Sequence, residues 1–216
     1  SKDYDHLVGL AHDLTAKGYT VARFDPIGTW ESGGEIADYT TGECLENMKA
    51  VLEYMLKARA YKQILAGGHS RGGFIAMLYA LREPRISAAL AIMPPCSLIR
   101  RGNEWKMEEW KKTGFKTSKR DVPNSSDYKT FTVPYSQVLE GAKFNVLEEI
   151  GQLKVPVVLV AGELDRVITP AEVESIYQQA NEPKQLIVLP GIGHDYRHRL
   201  EEIKKVNEQI LASLYI

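Results

Sequence analysis

Ser70 lies in Gly68-His69-Ser70-Arg71-Gly72, a G-x-S-x-G pentapeptide extended by Gly73. The apolar run Gln63-Ile64-Leu65-Ala66-Gly67 before it suits a buried strand. The run from Phe74 to Leu81 after it, rich in alanine, suits a buried helix. Between a strand and a helix, such a pentapeptide puts its serine on a sharp turn with the hydroxyl exposed. The small residues on either side let strand and helix pass close together. A serine placed this way can attack an acyl carbon, provided a base takes its proton and an acid orients that base.

Two later segments offer those partners. Val155 to Gly162 reads as a strand, and Glu163-Leu164-Asp165 follows it directly. Gln185 to Pro190 reads as another, running into Gly191-Ile192-Gly193-His194. Ser70, Asp165 and His194 therefore each sit just past the C-terminal end of a strand, where open α/β sheets place their chemistry. Serine, then acid, then histidine is also an order in which this constellation occurs. Glu163 and Asp195 are rival carboxylates. Asp165 ranks first because it lies on the loop entering the helix that begins at Thr169-Pro170. Glu163 is closer to the strand end, and Asp195 adjoins His194 and would have difficulty reaching back to its ring. Asp165 could also serve simply as a turn residue. His69 should point away from the serine's side chain and is read as structural or as a pocket wall. His6, His12 and His198 fall on helical patterns and are read as surface positions. No cluster has metal-ligand spacing, and no cofactor is implied.

With these residues in view, the chain resembles the α/β-hydrolase superfamily over nearly its whole length. Phe24-Asp25-Pro26-Ile27-Gly28-Thr29-Trp30-Glu31-Ser32-Gly33 resembles the loop after an early strand, with Trp30 where that loop usually carries glycine. Gly68 to Gly73 resembles the nucleophile turn, Ala161 to Asp165 the acid loop, and Gly193-His194 the histidine loop. Within the superfamily the chain looks most like small carboxylesterases of the cinnamoyl/feruloyl esterase and serine-aminopeptidase-like group. The resemblance implies a mostly parallel sheet with helices on both faces and a small cap. It also implies an oxyanion hole, half of which is the backbone N–H of Arg71. The other half normally comes from a His-Gly motif on an earlier strand. The sequence opens at Ser1-Lys2-Asp3-Tyr4, already at the lead-in to a helix, so the N-terminal strands are expected to lie outside the chain as given. The Tyr19–Asp25 strand is then expected either to pair with such a segment or to be a bare sheet edge.

The remaining elements agree with one α/β core. Leu7, Leu10, Ala11 and Leu14 mark one face of a first helix. Leu45, Met48, Val51, Leu52, Met55 and Leu56 mark a second, and Leu200, Ile203, Val206, Ile210, Leu211 and Leu214 the last. Thr169-Pro170-Ala171-Glu172 is a capping box with proline at the first helical position. Strands are expected at 19–25, 63–66, 88–93, 157–161 and 185–189. Alternation of strands and helices implies a parallel sheet. Residues 94–141 break the rhythm and are read as a cap insertion between core segments 1–93 and 142–216. Six aromatics fall in it, among them Trp105 and Trp110, which with His69 are the candidate substrate-binding residues. They could equally form the cap's own core. Residues 100–120 carry eight basic and three acidic side chains, best read as a solvated face.

Composition bounds the rest. The chain has 216 residues, 44% of them hydrophobic, which allows one domain with a sizeable core. A net charge of −1 gives no reason to expect a nucleic-acid partner. No apolar run approaches a membrane span. Two cysteines do not make a disulfide framework, and a reducing, cytoplasmic location is the expectation. The sequence thus points to a serine hydrolase cleaving a small carboxylic ester. A peptidase or amidase of the same fold, or a weakly catalytic binding module, remains open, as does the oligomeric state.

Overall fold

The computed structural model describes residues 1–99 and 104–214, with the side chains of 104–106 left aside. Its centre is a four-stranded parallel sheet. In sheet order the strands are β1 (Leu65–His69), β2 (Ala88–Ile92), β5 (Val157–Gly162) and β6 (Lys184–Leu189). Their register runs Leu65↔Ala88, Ala89↔Val157 and Val157↔Lys184. Every residue of β2 and β5 is buried, which is why these segments read as unbroken apolar runs rather than alternations.

Alternate residues of those strands feed two separate cores. Ala89, Ala91, Val157, Leu159 and Ala161 face one side. There they meet α2 (Thr41–Ala58), α3 (Arg71–Arg82) and α7 (Pro170–Gln179) through Leu52, Phe74, Met77, Val173 and Ile176. Leu90, Ile92, Val158 and Val160 face the other side, where α1 (Asp5–Ala16) and α8 (Leu200–Ser213) bring Leu10, Leu14, Ile203, Val206 and Ile210. The period of two along a strand makes this division. Thr169 caps α7 by accepting from the Glu172 amide, with Pro170 in the first turn.

Tyr19–Asp25 corrects the expectation. It belongs to no sheet, and β1 is the edge of the four-stranded sheet among the described residues. Strand formation is a pairing event, and no described strand lies alongside Tyr19–Asp25 to form a ladder. The segment is held instead by side chains, including Arg59 on Thr20 and Arg23 on the Lys2 carbonyl.

Residues 94–141, where the strand–helix rhythm breaks, nonetheless carry regular structure among the described residues. They contain α4 (Glu104–Thr113), an antiparallel hairpin of β3 (Phe115–Asp121) and β4 (Tyr128–Pro134), and α5 (Ser136–Gly141). The hairpin turn places Asn124 at φ 58°, a conformation asparagine tolerates. Most hairpin residues are exposed, Phe131 being the buried exception, so no apolar alternation marked it. A short helix, α6 (Val146–Glu149), leads back towards β5. Trp30 adopts φ 46°, the left-handed conformation that the usual glycine takes without strain. Its indole packs edge-on against Tyr4 and Phe131, each at 5.6 Å between ring centroids.

Candidate active site

Ser70 follows directly on β1 and precedes α3 with φ 54° and ψ −123°. A non-glycine residue in this region costs about 1–3 kcal/mol and persists only where its surroundings dictate it. Here they do. The Ser70 amide donates to the Ile92 carbonyl at 2.7 Å, and its own carbonyl accepts from Phe74 at 3.1 Å. The flanking glycines are required by space. A Cβ on Gly68 would lie 2.4 Å from the Gly72 carbonyl carbon, and one on Gly73 would lie 2.9 Å from the Gly68 oxygen.

The turn carries the Ser70 hydroxyl to 3.0 Å from Nε2 of His194. On the opposite edge of that ring, Nδ1 lies 2.7 Å from Oδ2 of Asp165. Asp165 is 3% exposed, and its other oxygen accepts from the Val167 and Ile168 amides, each at 2.8 Å. The carboxylate is therefore fixed at the ring by the first turn of its own loop. A donor at Nδ1 leaves Nε2 as the acceptor facing the serine.

The rival carboxylates do other work. Glu163 accepts from the Gly191 amide at 2.8 Å. Asp195 pairs with Arg197 at 2.8 Å. The Arg71 backbone N–H opens α3, next to the serine and at the positive end of the helix dipole. Its guanidinium turns away to donate to the Tyr39 carbonyl, 4.0 Å above the Tyr39 ring.

His69 is packed behind the site. Its ring lies 4.9 Å from that of His194, 5.0 Å from His6 and 5.5 Å from Tyr196. His6 is 4% exposed, which corrects its reading as a surface residue. It shares the i, i+4, i+8 stripe of Leu10 and Leu14, so periodicity placed it on the buried face although its polarity suggested otherwise. Burial pushes its imidazole down to about 3, with Arg197 adding to the effect. His12 and His198 are exposed, and His198 lies in a turn before α8 rather than on a helix.

Trp110 donates to the Val133 carbonyl at 3.0 Å and packs edge-on against Tyr135. These contacts lie within the 94–141 segment and give the indole a packing role there. The Trp105 side chain lies outside the described residues. Missed in the sequence was Asp121 on β3. It accepts from Arg197 at 3.1 Å, contacts His198 Nε2 at 2.9 Å, and receives the Tyr4 hydroxyl on its backbone oxygen. The hairpin is thereby bound to the loop that bears His194. Among the described residues, no group of three or more histidines, cysteines or carboxylates is arranged to hold a metal. No described helix is long and apolar enough to cross a membrane.

A parallel sheet covered on both faces, with a strained serine turn and with acid and histidine loops past later strand ends, defines the α/β-hydrolase fold. The chain belongs to the family described as serine aminopeptidase, S33, which matches residues 1–133, and it is a hydrolase of that α/β class. Solved structures extend the likeness to the rest of the chain. Est1E from Butyrivibrio proteoclasticus, solved with ferulic acid bound, is 24% identical with a TM-score of 0.75, over 100% of this chain and 85% of that one. The α/β hydrolase GrgF from Penicillium sp. sh18 is 20% identical with a TM-score of 0.76, over 94% and 82%. The monoacylglycerol lipase of Paleococcus ferrophilus is 17% identical with a TM-score of 0.70, over 94% and 88%. A search of curated proteins finds no match.

Proposed function

We propose that the protein is a serine carboxylesterase acting through an acyl-enzyme on Ser70. The observation that carries this reading is the continuous chain from Ser70 through His194 to Asp165, with links of 3.0 and 2.7 Å. Ser70 Oγ attacks the ester carbonyl carbon while Nε2 of His194 takes its proton. The oxyanion that forms accepts from the Arg71 amide at the head of α3. Collapse expels the alcohol, which receives the proton from Nε2. Water then repeats the sequence on the acyl-enzyme and releases the acid. Asp165 holds the ring and pairs with the imidazolium at each step.

Aromatic acyl esters are the substrate class we favour. Support comes from Est1E, whose structure holds ferulic acid, and from the aromatic-rich 94–141 segment, which we read as the cap. The family description favours a second reading, an aminopeptidase. Such an enzyme needs an acidic side chain free to hold a substrate amino terminus. Two carboxylates of the segment are already engaged, Glu140 on the Thr41 and Gly42 amides and Asp121 on Arg197. Turnover of p-nitrophenyl acetate and a feruloyl ester, beside an aminoacyl anilide, tests the choice. Anilide cleavage outpacing both esters would reverse it.

A further inference from the structure

We propose that His69 is a positioning residue for His194, its ring packed against an imidazole that the serine and aspartate contacts hold only at its two nitrogens. The proposal rests on reading Ser70, His194 and Asp165 as the reacting set. Those contacts act at Nδ1 and Nε2, in the ring plane. Two in-plane contacts on opposite edges leave the ring free to tilt about the line joining them. A ring held only at these two atoms can also shift with the loop that bears it, and small misplacements of a reacting group slow chemistry severely. A fixed body packed against the ring limits both movements. His69 supplies one, its ring 4.9 Å from His194 with 38° between the planes.

His69 is itself well fixed. Its backbone belongs to β1 and pairs in register with Ile92. Its ring is wedged edge-to-face between His6 and Tyr196, at interplanar angles of 81° and 84°. His6 and Tyr196 also touch, at 5.2 Å. Helix α1, the nucleophile strand and the histidine loop therefore meet in one aromatic stack behind the base.

Packing alone does not account for imidazoles here. Nε2 of His69 and Nδ1 of His6 are sealed from water without a hydrogen-bond partner. Buried polar atoms left unpaired are destabilising, and leucine or phenylalanine would fill the space without that cost, though also without the hydrogen bond that His69 makes to the His194 backbone. The stack's electrical state suits a backing role. Burial holds the His69 imidazole well below its ordinary value, with His6, His194 and Arg197 pushing the same way and a hydrogen bond to the His194 backbone opposing them. His6 is neutral for the same reason. The groups facing this pair are His194, Arg197 and His198 from the histidine loop, with Tyr196 between them, and the Ser1 amino group and Tyr4 from the N-terminal segment; Asp165 and Ser70 face His194 from the other side. When His194 takes the serine proton, its positive charge forms beside a neutral ring, where a protonated His69 would repel it.

The test uses the full chain, with p-nitrophenyl acetate kinetics followed across pH and a fluorophosphonate probe for Ser70. His69→Leu should lower kcat about ten- to a hundredfold with KM within about twofold, the pattern of lost positioning rather than lost binding. The acid limb of its kcat/KM profile should move to lower pH, because the imidazolium has lost the aromatic ring packed beside it. His69→Phe, which keeps an aromatic ring, should rescue most of the loss. If His69→Leu does not fold, His69→Gln, also without an aromatic ring, carries the same expectations. Wild-type kcat with an unmoved acid limb in the leucine or glutamine variant would overturn the proposal. So would equal losses in leucine and phenylalanine variants that merely follow melting temperature. Failure of the wild-type protein to label at Ser70 would remove the reading on which the proposal stands, and is told apart because it precedes any variant.

Discussion

The Glu163 carboxylate accepts the Gly191 amide at 2.8 Å, tying the loop that carries Asp165 to the loop that carries His194. Two strand ends set the spacing of Asp165 and His194, and this bond clamps the loops beyond them. Glu163→Ala should lower kcat severalfold with KM little changed, since the base would be held by fewer constraints. Exposed and singly bonded, the residue should contribute only about 1 kcal/mol to stability. Steady-state kinetics beside a thermal melt checks both.

Glu140 on α5 accepts the Thr41 and Gly42 amides, each at 2.8 Å, so a side chain of the 94–141 segment caps the head of α2. Those amides have no partner within the helix, and a carboxylate there also suits the helix dipole. Glu140→Ala should cost about 1–2 kcal/mol and lower the melting temperature by a few degrees. Differential scanning calorimetry measures it. An unchanged melt would mean that water replaces the cap at no cost.

His6 sets a pH dependence of stability. Its imidazole is pushed from 6.5 down to about 3 by burial in the folded chain. The unfolded chain therefore binds a proton below about 6.5 that the folded chain refuses until near 3. Stability from this group is complete above the unfolded value and falls as pH drops through the window between the two. Chemical denaturation across that window should show wild-type stability declining with acid, and His6→Phe should show a shallower slope. Parallel slopes would mean that His6 is not buried as a neutral ring.

Legibility followed how local each signal was. The runs of β2 and β5 are apolar throughout because both faces are buried, and they mark strands without reference to any neighbour. Helix α2 declares itself by the spacing of Leu45, Met48, Leu52 and Leu56. The candidate triad is legible because each member sits just beyond a strand, although only coordinates give the bond lengths. Tyr19–Asp25 reads as a strand from β-prone residues, yet a ladder needs a partner that composition does not reveal. The β3–β4 hairpin is mostly exposed, so it lacks apolar alternation, and the Val122-Pro123-Asn124 turn was its best available sign. His6 was misplaced by its polarity, and the stack it forms with His69 and Tyr196 depends on three elements meeting.

The most direct measurement is ester turnover by Ser70→Ala, in a sample whose circular dichroism and melt match the wild type, with fluorophosphonate labelling mapped by peptide mass. The hydroxyl 3.0 Å from His194 is the proposed nucleophile. The expected result is a loss of about ten-thousandfold or more in kcat, with the wild-type probe adduct on the peptide containing Ser70 and none in the variant. Wild-type turnover by the alanine variant, or an adduct at another residue, would contradict it.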